Sequence, residues 1–186
     1  SPEAVAGAVT GLFAVWAIIA LFTGTGEYLT TFVAQYLGAG REERIGPALW
    51  QGVYFSLGAG AFVAALTPLV THAFDLAGHD PALRAYEIEY ARALMLGAFP
   101  VTLMATLSTF FAGRGQTQAV LRVNVLATVV NVVLDYLLIF GNLGFPEMGV
   151  SGAALGTILS QVVGAVAYAA VILKPELLVL DEPTSA

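Results

Sequence analysis

Uncharged runs of membrane-spanning length constrain this chain more than any other feature. Residues 4–22, 52–71, 93–113 and 150–173 contain no Asp, Glu, Lys or Arg. A helix needs roughly 20 consecutive apolar residues to cross the hydrocarbon core of a bilayer, and each run is near that length. A fifth stretch, 119–140, is equally apolar apart from Arg122 and Asp135. Strands fit poorly, because the runs are too long and too rich in Ala and Leu. Buried helices of a water-soluble domain would show amphipathic periodicity, which is mostly missing. The pattern predicts an all-α membrane protein, a bundle of about five transmembrane helices in a lipid bilayer. The expected spans are about 8–37, 50–71, 88–112, 118–140 and 150–173. Residues 1–173 would form the bundle, and 174–186 a cytoplasmic tail.

Composition agrees. Of the 186 residues, 58% are hydrophobic and 11% charged, against roughly 25% charged in an ordinary soluble domain. Cysteine is absent, which excludes a disulfide framework, a thiolate zinc site and a catalytic thiol. The net charge of −6 provides no basic patch for nucleic acid. His72 and His79 fall in a loop with no acidic cluster at metal-ligand spacing, and read as surface residues without a special role. Neither a resident cofactor nor a metal is expected, and the chain does not read as an enzyme.

The loops set the orientation. Residues 38–47, 72–86, 113–118 and 141–149 carry Gly, Pro and charge, and Asp80-Pro81 reads as a helix start. Arg41, Arg44, Arg114, Arg122 and Lys174 fall on one side, Arg84 and Arg92 on the other. The positive-inside rule then predicts a multi-pass inner (plasma) membrane protein with an external N-terminus and a cytoplasmic C-terminus. An external start without a basic leader suggests a further helix before Ser1.

Polar residues inside the spans are the functional candidates. Asn124, Thr128, Asn131 and Asp135 recur at i, i+4, i+7 and i+11, which puts them on one narrow helical face. A carboxylate at mid-membrane costs at least about 2.5 kcal/mol. Asp135 should therefore face the bundle interior or a wet cavity. Asn and Thr alone would also fit an interhelical hydrogen-bond stripe that only joins helices. Glu27, in a Gly/Thr-rich segment, reads as a second buried acid, with Thr31 and Gln35 sharing its face. It suits a cavity-lining acid or cation ligand, or equally a charge at a helix break satisfied by local backbone. Gly152, Gly156, Ser160 and Gly164 recur every four positions and read as a packing stripe. Pro68 and Pro100 fall within spans and are expected to kink them.

Three segments resemble the multidrug and toxic compound extrusion (MATE) family. TFVAQYLGAGREER (31–44) looks like the end of that family's second helix and the basic loop after it. Pro100 through FFAGRGQTQ (110–118) looks like the fourth helix and its turn. NVVLDYLLIFGNLGFPEMGVSGAALGTILSQ (131–161) looks like the fifth helix, an external turn and the sixth helix. The resemblance covers about residues 1–173 and implies helices two to six of a six-helix N-terminal lobe. It implies a secondary transporter that exports organic cations or drugs in exchange for protons or sodium ions. It also implies that Asp135 exchanges the proton or cation and that Asn131 supports it, both lining a cavity between two lobes. Asn124, Thr128, Glu27 and Gln35 are the further candidates for ion or substrate contact. The family's first helix and C-terminal lobe are not in this sequence, so those segments or a second copy of the chain are expected partners. The alternative is a non-transporting membrane fragment, or a chimeric product with a structural role only.

The tail, KPELLVLDEPTSA (174–186), resembles the Walker B strand and turn of ATP-binding-cassette ATPases. Lys174 is the only lysine and Pro175 follows it, so the phosphate loop GxxxxGK[ST] that would hold ATP is missing. The tail reads as a fusion or junction fragment.

Overall fold

The computed structural model describes residues 2–173. The 174–186 tail, with its Walker B resemblance, lies outside the described residues. Eight α-helices follow in order: α1 (Pro2–Glu27), α2 (Leu29–Gly38), α3 (Ile45–Ala65), α4 (Thr67–Ala77), α5 (Pro81–Leu96), α6 (Ala98–Gly113), α7 (Thr117–Phe140) and α8 (Gly149–Leu173). No strand occurs among the described residues. In lipid only self-satisfied backbone is stable, and helices meet that requirement segment by segment.

The helices make four or five spans. Pro2–Gly38, Glu42–Ala65, Thr117–Phe140 and Gly149–Leu173 are each long and apolar enough to cross a bilayer. Pro81–Leu96 and Ala98–Gly113 pass together as a fifth, bent by 50°. The chain is thus an all-α membrane protein, as its uncharged runs imply. Two spans differ in detail from expectation. The span expected over 50–71 breaks at Leu66, and α4 then runs on to Ala77, with Pro68 in its first turn. The span expected over 88–112 begins at Pro81 and bends at Gly97, three residues before Pro100. Proline lacks the N–H that would bond back to Leu96 and crowds that carbonyl, so the bend falls just upstream of the ring.

Small residues let the helices approach closely. A side chain on Gly11 would meet the Glu87 backbone at 2.9 Å, and one on Gly7 would meet Tyr86 at 2.7 Å. These two glycines, four apart, form the α1–α5 seam. At the α3–α6 crossing, buried Ser56 and Thr106 share a hydrogen bond of 2.9 Å. Tyr168 of α8 stacks on Phe111 of α6 with ring centroids 5.3 Å apart. The core falls into two apolar clusters, one containing Val15, Val63 and Met95, the other Met104, Phe111 and Tyr168.

The loops sort to two ends. The Glu42–Arg44 turn and the α6–α7 turn meet, with Arg114 4.0 Å from Glu42. At the other end Arg84 pairs with Asp75 across the α4–α5 turn, and Ser151 donates to Glu89. Asp80 caps α5 as its sequence implies, accepting from the Ala82 N–H at 2.9 Å.

Candidate functional site

Helix α7 presents its polar stripe along one side, and the tertiary packing divides that stripe. Asn124 and Thr128 are exposed on the outer side of the chain. The Thr128 hydroxyl bonds back to the Asn124 carbonyl at 2.8 Å. Asn131 and Asp135 are half-buried where α7 packs on α8. Asn131 Nδ2 and Asp135 Oδ1 are both enclosed and have no hydrogen-bond partner. Unpaired polar atoms are costly away from water, and buried polar groups are rarely left in that state.

The packing stripe on α8 explains how a carboxylate fits there. Asp135 Oδ1 occupies the space that a side chain on Gly156 would fill. One turn away, a side chain on Gly152 would strike the Leu138 carbonyl at 2.7 Å. Gly156 therefore serves both helix approach and accommodation of the acid.

Two further residues complete the surroundings of Asp135. Tyr90 of α5 is buried and lies near Asp135 and Thr157. Thr157 neighbours Gly156 on α8 and also donates to the Ala153 carbonyl at 3.0 Å. The group Asn131, Asp135, Tyr90 and Thr157 thus draws on α5, α7 and α8. It presents one carboxylate, one carboxamide and two hydroxyls. Such a set can accept and release a proton or coordinate a small cation. Among the described residues no cluster of three or more His, Asp or Glu has metal-site geometry.

Glu27 is not buried. It is the last residue of α1, exposed beside the break at Tyr28. Gln35 is exposed on α2. Neither joins the Asp135 group. A helix end is where a charge is most easily left in solvent, because the chain there is no longer enclosed by neighbouring turns.

Sequence reading missed Tyr90, Thr157 and a second acid. The Glu87 side chain is 0% exposed and lies 2.9 Å from His79 Nδ1. His79 is therefore not a free surface residue. Glu87 falls between the loop expected over 72–86 and the span expected from about 88, in a stretch that also carries Arg84, Glu89 and Arg92. Only the approach of α1 shows that it is enclosed.

The fold and the group around Asp135 define a class: a polytopic helical membrane protein with an ionisable side chain set between packed spans. Comparison with known proteins makes this specific. The MatE family profile matches residues 1–137, and the chain belongs to that family. A relative described as a probable multidrug resistance protein NorM, from Thermotoga maritima, is 33% identical over 162 residues, covering 87% of this chain and 35% of that protein. A similarly described NorM from Geobacillus kaustophilus is 31% identical over 167 residues, covering 86% of this chain and 35% of that protein. The chain thus spans about a third of the length of the curated relatives it matches. Among solved structures, an outward-facing multidrug resistance MATE family transporter superposes with a TM-score of 0.85 at 27% identity, over 95% of this chain and 38% of that one. A MATE in the bent conformation gives 0.83 at 30% identity, over 95% of this chain and 39% of that one. The family is one of transporters, not enzymes.

Proposed function

We propose that this chain is part of the N-terminal lobe of a secondary active transporter that exports organic cations or drugs in exchange for protons or sodium ions. The observation that carries the reading is the pair of enclosed, unpartnered atoms, Asp135 Oδ1 and Asn131 Nδ2, on one face of a membrane helix. Ionisable groups inside membrane spans serve ion or proton pathways by default. In this reading Asp135 takes up the proton or cation, and Asn131, Tyr90 and Thr157 hold it. Asn124 and Thr128 line the same face nearer the other end of α7, where the cargo passes. Alternating access needs one repeat to move against another, so a second lobe or a second copy faces α7. The basic turns around Arg41, Arg44 and Arg114 lie in the cytoplasm, in an inner (plasma) membrane. Glu27 and Gln35, exposed and outside the Asp135 group, are further contacts for ion or cargo.

The test uses the chain reconstituted in proteoliposomes. A cationic dye is first titrated for binding, and then followed for export under an imposed proton or sodium gradient. The expected result is gradient-dependent binding or flux in the unaltered chain and its loss in Asp135→Asn. Equal behaviour of both proteins removes Asp135 from the mechanism. No binding above that of empty vesicles favours a fragment with a structural role only.

A further inference from the structure

The structure assigns a phospholipid site to the groove between α2 and α3. Its occupant is a zwitterionic lipid, with one acyl chain along the groove and the headgroup at the Glu42–Arg44 turn. The cavity is about 700 Å³, within the roughly 300–1,000 Å³ of ligand pockets. None of Asn131, Asp135, Tyr90 and Thr157 lines it, so the inference does not rest on the transport reading.

One wall is aromatic. Tyr28, just before α2, and Phe32 and Tyr36 within it recur every four residues, which places them on one helical face. Tyr28 meets Phe32 edge-on with ring centroids 5.7 Å apart, and Phe32 lies 6.5 Å from Tyr36. The facing wall is α3 as far as Phe55. Helix α6 closes the back, because side chains on Gly26 and Gly52 would meet Thr106 at 2.7 and 2.6 Å. Tyr28 and Phe32 are exposed, so the groove opens at the side of the bundle. A lipid chain enters it from the bilayer without crossing the core.

Charge is confined to one end. Glu43 and Arg44 line the groove beside the turn, and the rest of the lining is uncharged. Glu42 faces Arg114 at 4.0 Å, whereas Glu43 and Arg44 make no ion pair among the described residues. From Arg44 to Phe55 the groove runs about 16 Å, at about 1.5 Å per residue. That is about half of a hydrocarbon core roughly 30 Å thick. The groove therefore spans one leaflet, with its charges at headgroup level. The planar fork of arginine suits a phosphate, and the adjacent carboxylate suits the ammonium beyond it in a zwitterionic headgroup. A compact aromatic cation would need its counter-charge against the rings of the deep end. Glu27, next to Tyr28 in sequence, does not line the groove.

Native mass spectrometry tests the site, on the full chain in detergent micelles titrated with palmitoyl-oleoyl phosphatidylethanolamine. The unaltered chain should keep a first lipid in clear preference to further ones. It should hold that lipid more tightly than phosphatidylglycerol with the same acyl chains. Arg44→Gln and Glu43→Gln should each weaken the first lipid about tenfold, the scale of one charge-assisted contact. Both residues are exposed, so melting temperature in the same detergent should be unchanged. Ala48→Trp, which fills the groove without altering its charge, should lose the first lipid as well. Arg41→Gln, in the same turn but outside the lining, should hold it as the unaltered chain does. A statistical spread of lipids with no favoured first one overturns the site, as does equal loss in Arg41→Gln and Arg44→Gln. Equal affinity for phosphatidylglycerol overturns the zwitterionic occupant. Displacement of the lipid by tetraphenylphosphonium, unaffected by Arg44→Gln, overturns it in favour of an aromatic cation. Lipid-free dimers overturn it in favour of a second copy of the chain.

Discussion

Asp135 of α7 and Gly156 of α8 share one volume: the carboxylate oxygen lies where any side chain on Gly156 would have to be. An acid can sit between two membrane helices here because the facing residue has no Cβ. Substituting Gly156 therefore bears on the acid as well as on packing. Gly156→Ala should displace the Asp135 carboxylate and weaken cationic dye binding by about the same factor as Asp135→Asn. At the other end of the chain's range of close approaches, Gly38 and Gly58 have open space beside them. Gly58→Ala should leave binding unchanged. Equilibrium dye titration of the three variants checks the comparison.

Tyr90→Phe removes the hydroxyl that lies near Thr157 and Asp135. The ring remains, so packing is retained. Stability should fall by no more than about 1 kcal/mol, the usual scale of a membrane hydrogen bond. The pH profile of dye binding should shift, because one polar neighbour of the carboxylate is gone. Unfolding in detergent micelles and binding across a pH series separate the two effects.

The buried Ser56–Thr106 pair joins α3 to α6. Ser56→Ala strands the Thr106 hydroxyl, whereas Thr106→Val leaves Ser56 bonded to the Gly52 carbonyl at 2.9 Å, and the double variant strands none. A double-mutant cycle should give a coupling of about 0.6 kcal/mol and at most about 1.7 kcal/mol. Equilibrium unfolding of the four proteins measures it. Gly26 and Gly52 both abut Thr106, so Val at that position leaves the crossing no room for a larger residue.

Gly11→Val puts its Cβ 2.9 Å from the Glu87 carbonyl oxygen and adds two methyl groups to that close approach. The expected cost is about 1–3 kcal/mol or more, the range for overpacking a close-fitting site. Gly24→Val, on the same helix with open space beside it, should cost less than about 1 kcal/mol relative to Gly11→Val's loss. Thermal unfolding in one detergent ranks the pair.

The amino-acid order by itself determined the membrane class, the number of spans, the Asp80 cap and the α7 stripe. These are local: apolar run length and a 3.6-residue period are properties of one helix read alone. The resemblance of three segments to MATE transporters was likewise legible, and the family match agrees. What only the tertiary structure decided is which faces meet. Asn124 and Thr128 stay exposed while Asn131 Nδ2 and Asp135 Oδ1, on the same stripe, are enclosed, Asp135 filling the space beside Gly156 of α8. Glu27, read as a buried acid, turned out exposed, and Glu87, which the sequence did not single out, is enclosed. A charged stretch becomes a buried seam when another helix can lie against it, and Gly7 and Gly11 allow α1 to do so. Burial of an acid is thus set by the approach of a partner helix distant in sequence, which no local period encodes.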